Sequence, residues 1–256
     1  MNFLHSVILG IVEGFTEFLP ISSTGHLILT SKFLNLTQTN FLKSFEITIQ
    51  LGAILSVVFL YWRKFFLNKE IIKKVFTAFV PTAIGGVVLY KIFKEFLLNN
   101  SNIVLWALFL GGIFLIIFEL FYKEKEGSIE DISKISYSQS FFVGVFQIVA
   151  IIPGVSRAAA TIIGGLILGL KRKAIVEFSF LLAVPTMAAA TFFDLFKSAG
   201  EFSFSQINFL ITGFITSFIV AIISVKFLLY FIKKHSFTAF GLYRIILALI
   251  FWSIIF

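Results

Sequence analysis

The sequence predicts an all-α polytopic membrane protein of six transmembrane helices plus two re-entrant helical hairpins, forming one integral membrane domain over residues 1–256. Three observations lead there. The 256 residues are 59% hydrophobic with 36 Phe and a mean hydropathy of +1.01, far more apolar surface than a soluble core of this size uses. Six stretches approach the roughly 20 apolar residues that a helix needs to cross hydrocarbon. Two more apolar stretches are interrupted by proline and polar residues, and neither arm of either is long enough to cross.

The first interrupted stretch is Phe3–Phe33, turning near Pro20. Its short apolar arms enclose Glu13, Glu17, Ser22, Ser23, Thr24 and His26. Polar groups at membrane depth persist only inside protein or beside a water-filled cavity, and ionisable ones mark function by default. After a polar link, Asn35–Lys43, three spans are expected: Ser44–Trp62, Val75–Phe96 and Ile103–Tyr122. The second interrupted stretch, Phe141–Leu170, breaks at Ile152-Pro153-Gly154-Val155-Ser156-Arg157. The spans Ile175–Phe196, Ile207–Phe231 and Phe237–Phe256 complete the chain.

Each half thus holds one hairpin and three spans, as repeats of about 1–122 and 137–256. Gly10-Ile11-Val12-Glu13 leads to Pro20, Ser22 and Ser23 much as Gly144-Val145-Phe146-Gln147 leads to Pro153, Ser156 and Arg157. If both hairpins return to their side of entry, one face collects basic clusters such as Arg63-Lys64, Lys73-Lys74, Lys171-Arg172-Lys173 and Lys233-Lys234. The other keeps only Lys32, Lys43, Lys91, Lys94 and Lys197. The richer face is cytoplasmic by the positive-inside rule, which puts both termini outside. The halves are then inverted relative to one another, an architecture whose broken segments meet at a midplane binding site.

Composition also excludes. There is no cysteine, hence no thiol catalysis, disulfide, iron–sulfur cluster or thiolate zinc site. His5, His26 and His235 are too scattered for a histidine-based metal site. The N-terminus has no basic residue before its apolar run and does not read as a cleaved signal peptide. The net charge of +8 suits cytoplasmic loops against anionic lipid rather than nucleic acid.

The chemistry lies in the two breaks. Glu13 and Glu17 are four apart, on one helical face. Such a pair shares a proton or holds a hard divalent cation, Mg²⁺ or Ca²⁺, that takes further ligands from a phosphate. Ser22, Ser23 and Thr24 open the second arm, where a hydroxyl caps the helix and free amides favour an anion. Ser23 and His26, three apart, outline a nucleophile–base pair; a hydrogen-bonded core histidine is the plainer alternative. Arg157 offers a planar fork for phosphate, with an ion pair to Glu17 or Glu46 as the alternative. Ser156 reads as its helix cap or a ligand. Glu46, Glu177, Asp194, Lys226 and Arg244, in or near spans, read as pairing partners or snorkelling interfacial residues. Together the breaks equip a lipid-walled cavity for a phosphorylated or diphosphorylated lipid.

The run Glu13-Gly14-Phe15-Thr16-Glu17-Phe18-Leu19-Pro20-Ile21-Ser22-Ser23-Thr24-Gly25-His26-Leu27 resembles the first signature of the bacterial undecaprenyl-diphosphatases, the bacitracin-resistance family. Pro153-Gly154-Val155-Ser156-Arg157 resembles the second, with similar blocks at Phe45–Gly52 and Glu177–Pro185. The resemblance implies hydrolysis of undecaprenyl diphosphate in the bacterial cell membrane, recycling the carrier for peptidoglycan synthesis, with a divalent-cation requirement and a site open to the outer leaflet. It maps the acidic motif on Glu13 and Glu17, the hydroxyl-rich turn on Ser22, Ser23, Thr24 and His26, and the arginine motif on Ser156, Arg157 and Thr161. Where the family commonly has Ser-Arg-Ser, this chain has Ser156-Arg157-Ala158, which shifts weight to Ser23 as nucleophile. Ser23 with His26 as base, His26 as nucleophile, and water activated by His26 remain distinct routes. A transporter or flippase of polyprenyl phosphate is the alternative function, and a homodimer is compatible with the sequence.

Overall fold

The computed structural model describes residues 1–92, 101–198 and 206–255, whose regular elements are helices joined by short links, with one isolated β-bridge between Ile129 and Leu170. The first hairpin is α1 (Phe3–Thr16) and α2 (Ser23–Phe33). Three long helices follow: α3 (Asn40–Leu67), α4 (Lys69–Ile92) and α5 (Ser101–Phe121). The second hairpin is α6 (Tyr137–Gln147), continued by a 3₁₀ turn Ile148–Ile151, and α7 (Arg157–Ile167). Then come α8 (Arg172–Ser198), α9 (Ile207–Phe231) and α10 (Thr238–Ile255). Expected ends at Phe96 and Phe256 and residue Lys94 lie outside the described residues, as do the side chains of Lys91, Asp194 and Lys197.

Five helices, α3, α4, α5, α8 and α9, are long and apolar enough to cross a membrane. Together with the family established below, they make this a multi-pass membrane protein. The sixth expected span is present as α10, whose 18 residues fall short of that criterion over the described residues. Helix α9 has the predicted bounds, whereas α3 and α8 overrun theirs: α3 starts at Asn40, capped by the Thr39 hydroxyl, and continues past Trp62 to Leu67. Large apolar side chains such as Phe59, Ile84, Leu120 and Ile254 stud the outward faces, as expected where lipid is the solvent.

Packing between the halves is exchanged. The first arm of hairpin one, α1, lies against α9 of the second half; the first arm of hairpin two, α6, lies against α4 of the first half. Helix α9 packs as extensively on α3 as on α1, and corresponding helices also meet, α3 with α8 and α5 with α10. Both hairpin contacts depend on glycine. A Cβ on Gly10 would sit 2.8 Å from the Gly213 carbonyl oxygen, and one on Gly144 only 1.9 Å from that of Ala78. Three residues beyond each glycine stand Glu13 and Gln147. The Gln147 amide donates to Thr82 (2.9 Å) and Thr186 (3.0 Å).

At the end opposite the hairpin tips of α6 and α7, charged residues pair, Glu177 among them as the sequence suggested. Arg172 grips Glu119 with both ends of its fork and lies over the Tyr122 and Phe237 rings. Lys64 donates to Glu177 at 2.5 Å. Lys226 is exposed on α9. The buried core gathers around α7 and α8, where Phe178, Phe180, Leu181 and Leu182 are fully enclosed. It supports the second tip from behind.

Candidate active site at the hairpin tips

The two breaks form turns for local reasons. Helix α2 begins where the Ser22 hydroxyl caps the Gly25 amide (3.3 Å), and α7 where the Ser156 hydroxyl caps that of Ala159 (3.2 Å). Gly154 has φ +92°, open to glycine at little cost. It also lets the tip approach α5 so closely that a Cβ there would lie 2.6 Å from the Val104 carbonyl oxygen. Ser22 has φ 71°, a strained conformation for a residue with a side chain. It turns the Ser22 carbonyl toward His26, which donates to it from its backbone amide (3.2 Å) and from ring Nδ1 (2.7 Å).

The tips touch through three sets of bonds. Arg157 Nη2 meets Glu17 Oε1 at 3.2 Å, with the two side chains 12% and 6% exposed. Ser156 donates to the Leu19 carbonyl at 3.3 Å. Arg244 of α10 donates to Pro20 and Gly154, one carbonyl from each tip. Glu17 is the hub. Its other oxygen accepts a short hydrogen bond from the Ser23 hydroxyl. Ser23, Glu17 and Arg157 therefore form one buried chain of contacts, drawn from residues 140 positions apart in sequence.

This geometry revises the expected pairing of Ser23 with His26. Spacing on a helix puts them within reach, but the Ser23 hydroxyl points back across the turn to Glu17, and both imidazole nitrogens are taken. A carbonyl only accepts, so Nδ1 carries the proton. Nε2 is then the basic nitrogen, 2.8 Å from the Tyr243 hydroxyl. Arg157 pairs with Glu17, the alternative weighed for it, and also donates Nη1 to the Ser179 carbonyl (2.9 Å). Its Nε, though buried, has no partner. Thr24 is exposed. Thr161 turns away from the tips: its hydroxyl bonds Ser179 of α8 at 2.6 Å and fastens α7 to α8.

Glu13 is fully buried, and neither of its carboxylate oxygens has a hydrogen-bond partner. An isolated carboxylate in an apolar wall is costly; a proton shared with the neighbouring Glu17 or a bound cation would relieve that cost. Among the described residues no group of three or more metal-type side chains occurs. A hard cation at Glu13, with Glu17 near, would complete its shell from water and phosphate, the habit of Mg²⁺. The donor set fits the expected divalent ion.

Comparison with known proteins agrees with the motifs. The profile described as "Bacitracin resistance protein BacA" matches residues 6–250. The chain belongs to the BacA family. Family members named undecaprenyl-diphosphatase are similar along the whole length. The one from Sulfurihydrogenibium sp. is 53% identical over 252 residues, covering 98% of this chain and 99% of the relative. That from Aquifex aeolicus is 54% identical over 247 residues, covering 96% of each. A relative from Methanococcus aeolicus is 45% identical over 250 residues, covering 98% of this chain and 97% of its own.

Two residues at this BacA-family site were not singled out from sequence. Tyr243 was missed. Arg244 was read as a pairing or snorkelling residue, yet it is 1% exposed and bonds only carbonyls. The available signal was a charge in the middle of an apolar helix, Thr238–Ile255, facing the small pair Gly111-Gly112 of α5.

Proposed function

We infer that this protein is an undecaprenyl-diphosphatase: it hydrolyses undecaprenyl diphosphate to undecaprenyl phosphate and inorganic phosphate, returning the lipid carrier to cell-wall synthesis and thereby supporting bacitracin resistance. Family membership and near-full-length similarity to enzymes of that name support this reading. The single structural observation that carries it is the buried chain Ser23–Glu17–Arg157, a hydroxyl, a carboxylate and a guanidinium joined where two helix N-termini meet.

The architecture we adopt is six crossing helices and two re-entrant hairpins. At 1.5 Å per residue, the 11 to 14 residues of α1, α2, α6 and α7 reach roughly 16–21 Å, short of a hydrocarbon core of about 30 Å. The 18 residues of α10 reach about 27 Å, which a slight thinning accommodates. The exchanged packing of α1 on α9 and α6 on α4 supports two inverted repeats. The basic loops support termini outside and a site reached from the outer leaflet.

In the reaction, the diphosphate lies at the tips while its isoprenyl chain runs among the apolar helices. Arg157 presents its unpartnered Nε–H, and the first-turn amides of α2 and α7 face the anion. Ser22 and Ser156 cap those two helices, and Thr24 is exposed in the first turn of α2. Glu17 takes the Ser23 proton as Oγ attacks the terminal phosphorus. The Oγ–P bond forms, the bridging P–O bond breaks, and undecaprenyl phosphate leaves. Water then attacks the phosphoserine, with the basic Nε2 of His26 as proton acceptor, and Ser23 recovers its proton from Glu17. Glu13 and Glu17 would hold the divalent cation, which when bound would neutralise phosphoryl oxygens. Thr161 serves by holding α7 against α8.

The test is phosphate release from undecaprenyl diphosphate by purified protein in detergent, with and without chelator, for wild type and Arg157→Ala. Release by wild type, abolished by chelator and by the substitution, is expected. A flippase releases none, so absence of phosphate from the untreated wild type would overturn the hydrolase reading.

A further inference from the structure

The guanidinium of Arg244 is the one buried cation of this site that no part of the mechanism above uses. It is 1% exposed, and among the described residues it forms no ion pair. It donates instead to four carbonyls on three separate pieces of chain. Two belong to α5, Ala107 (2.9 Å) and Leu108 (3.3 Å); one is Pro20 (3.4 Å) at the first tip; one is Gly154 (3.0 Å) at the second. Space for it is built in. A Cβ on Gly111 would lie 2.1 Å from Nη2, and Gly112 and Gly241 bring α5 and α10 close enough that a Cβ on either would press on the other's carbonyl, at 2.6 and 2.7 Å.

An unpaired buried charge is expensive, so a mere filler of this space would be apolar. Five N–H donors in a rigid fork do something an apolar side chain cannot: they hold several backbone segments at fixed separation. We propose that Arg244 is a positioning residue, a fastener on α10 that ties both hairpin tips to α5 and so sets the separation at which Glu17 meets Arg157. Lysine keeps the charge but offers a compact point donor, unable to span four carbonyls. Alanine at Gly111 keeps both the arginine and its charge but displaces the fork. The two variants therefore share one expected outcome by different routes.

The absence of cysteine makes the test direct. Spin labels are placed on Phe15→Cys of hairpin one and Val149→Cys of hairpin two, both exposed, and the inter-label distance distribution is recorded in detergent, in wild-type, Arg244→Lys and Gly111→Ala backgrounds. Steady-state phosphate release is measured on the unlabelled proteins. The labelled wild type should give one narrow distribution. Either variant should broaden or shift it and lower kcat roughly tenfold to a hundredfold, the range that an ångström of misplacement produces, with KM within about twofold. An unchanged distribution with lost turnover would overturn the proposal by showing that Arg244 acts on the anion directly. Full turnover in Arg244→Lys would overturn it too, by showing that charge alone suffices. If Arg244→Lys does not yield monodisperse protein, Gly111→Ala, which retains every charge, decides. The proposal rests on the hydrolase reading only for the kinetic arm; the distance measurement needs no turnover and distinguishes the two failures.

Discussion

Replacing Glu17 by Gln changes two things at once, and the structure sets the size of each. The carboxylate is the acceptor for Ser23, so losing it removes a general base, an effect of about 10²–10⁴ in kcat. It is also the partner of Arg157 in a pair whose side chains are 6% and 12% exposed. Breaking a buried pair from one side costs about 3–5 kcal/mol; because Arg157 keeps its bond to the Ser179 carbonyl, the lower end applies, about 3 kcal/mol. The double variant Glu17→Leu/Arg157→Met removes both charges and should recover most of that stability, since an apolar replacement of both partners is near neutral, while recovering no turnover. The assay is phosphate release from undecaprenyl diphosphate alongside thermal unfolding in the same detergent, arranged as a double-variant cycle. The reasoning is refuted if Glu17→Gln turns over within threefold of wild type, or if the two single-variant stability losses simply add, with a coupling below about 0.5 kcal/mol.

Four further outcomes are expected. Ser23→Ala should lose all measurable phosphate release without loss of thermal stability, as read by the same two assays. Tyr243→Phe removes one hydrogen bond to His26 Nε2 and should lower kcat by up to about tenfold, the equivalent of roughly 1.4 kcal/mol. Glu13→Gln should raise the Mg²⁺ or Ca²⁺ concentration that restores activity after chelation, checked by titrating metal back into stripped enzyme. Gly144→Ala should destabilise the protein by about 1–3 kcal/mol through overpacking, since its Cβ would lie 1.9 Å from the Ala78 carbonyl oxygen; thermal unfolding measures it.

How much of this was legible beforehand follows from what kind of contact carries each feature. The first hairpin's limits, Phe3 and Phe33, match α1 and α2 because polar residues inside an apolar run are a local signal. The association of Glu17 with Arg157 was foreseeable as one of two alternatives, because two breaks in corresponding positions point to one meeting place. The partner of Ser23 was not. Helical spacing selects His26, whereas the true acceptor lies six residues back, across a turn whose direction depends on Pro20 and on the positive φ of Ser22. Arg244 and Tyr243 were hidden for a related reason. Their acceptors are backbone carbonyls and a ring nitrogen on distant segments, and a sequence pattern registers the donor without revealing such acceptors. Helix α3 overran its predicted span because backbone hydrogen bonding continues past the hydrophobic stretch into a capped, polar turn.

The most direct check of the central claim is product analysis with three purified proteins: wild type, Ser23→Ala and Arg157→Ala, each given undecaprenyl diphosphate and Mg²⁺ in detergent. The wild type should yield inorganic phosphate and undecaprenyl phosphate in equal amounts, and both variants should match the protein-free blank. Wild-type turnover by either variant would mean that the chemistry happens somewhere other than where the two hairpins meet.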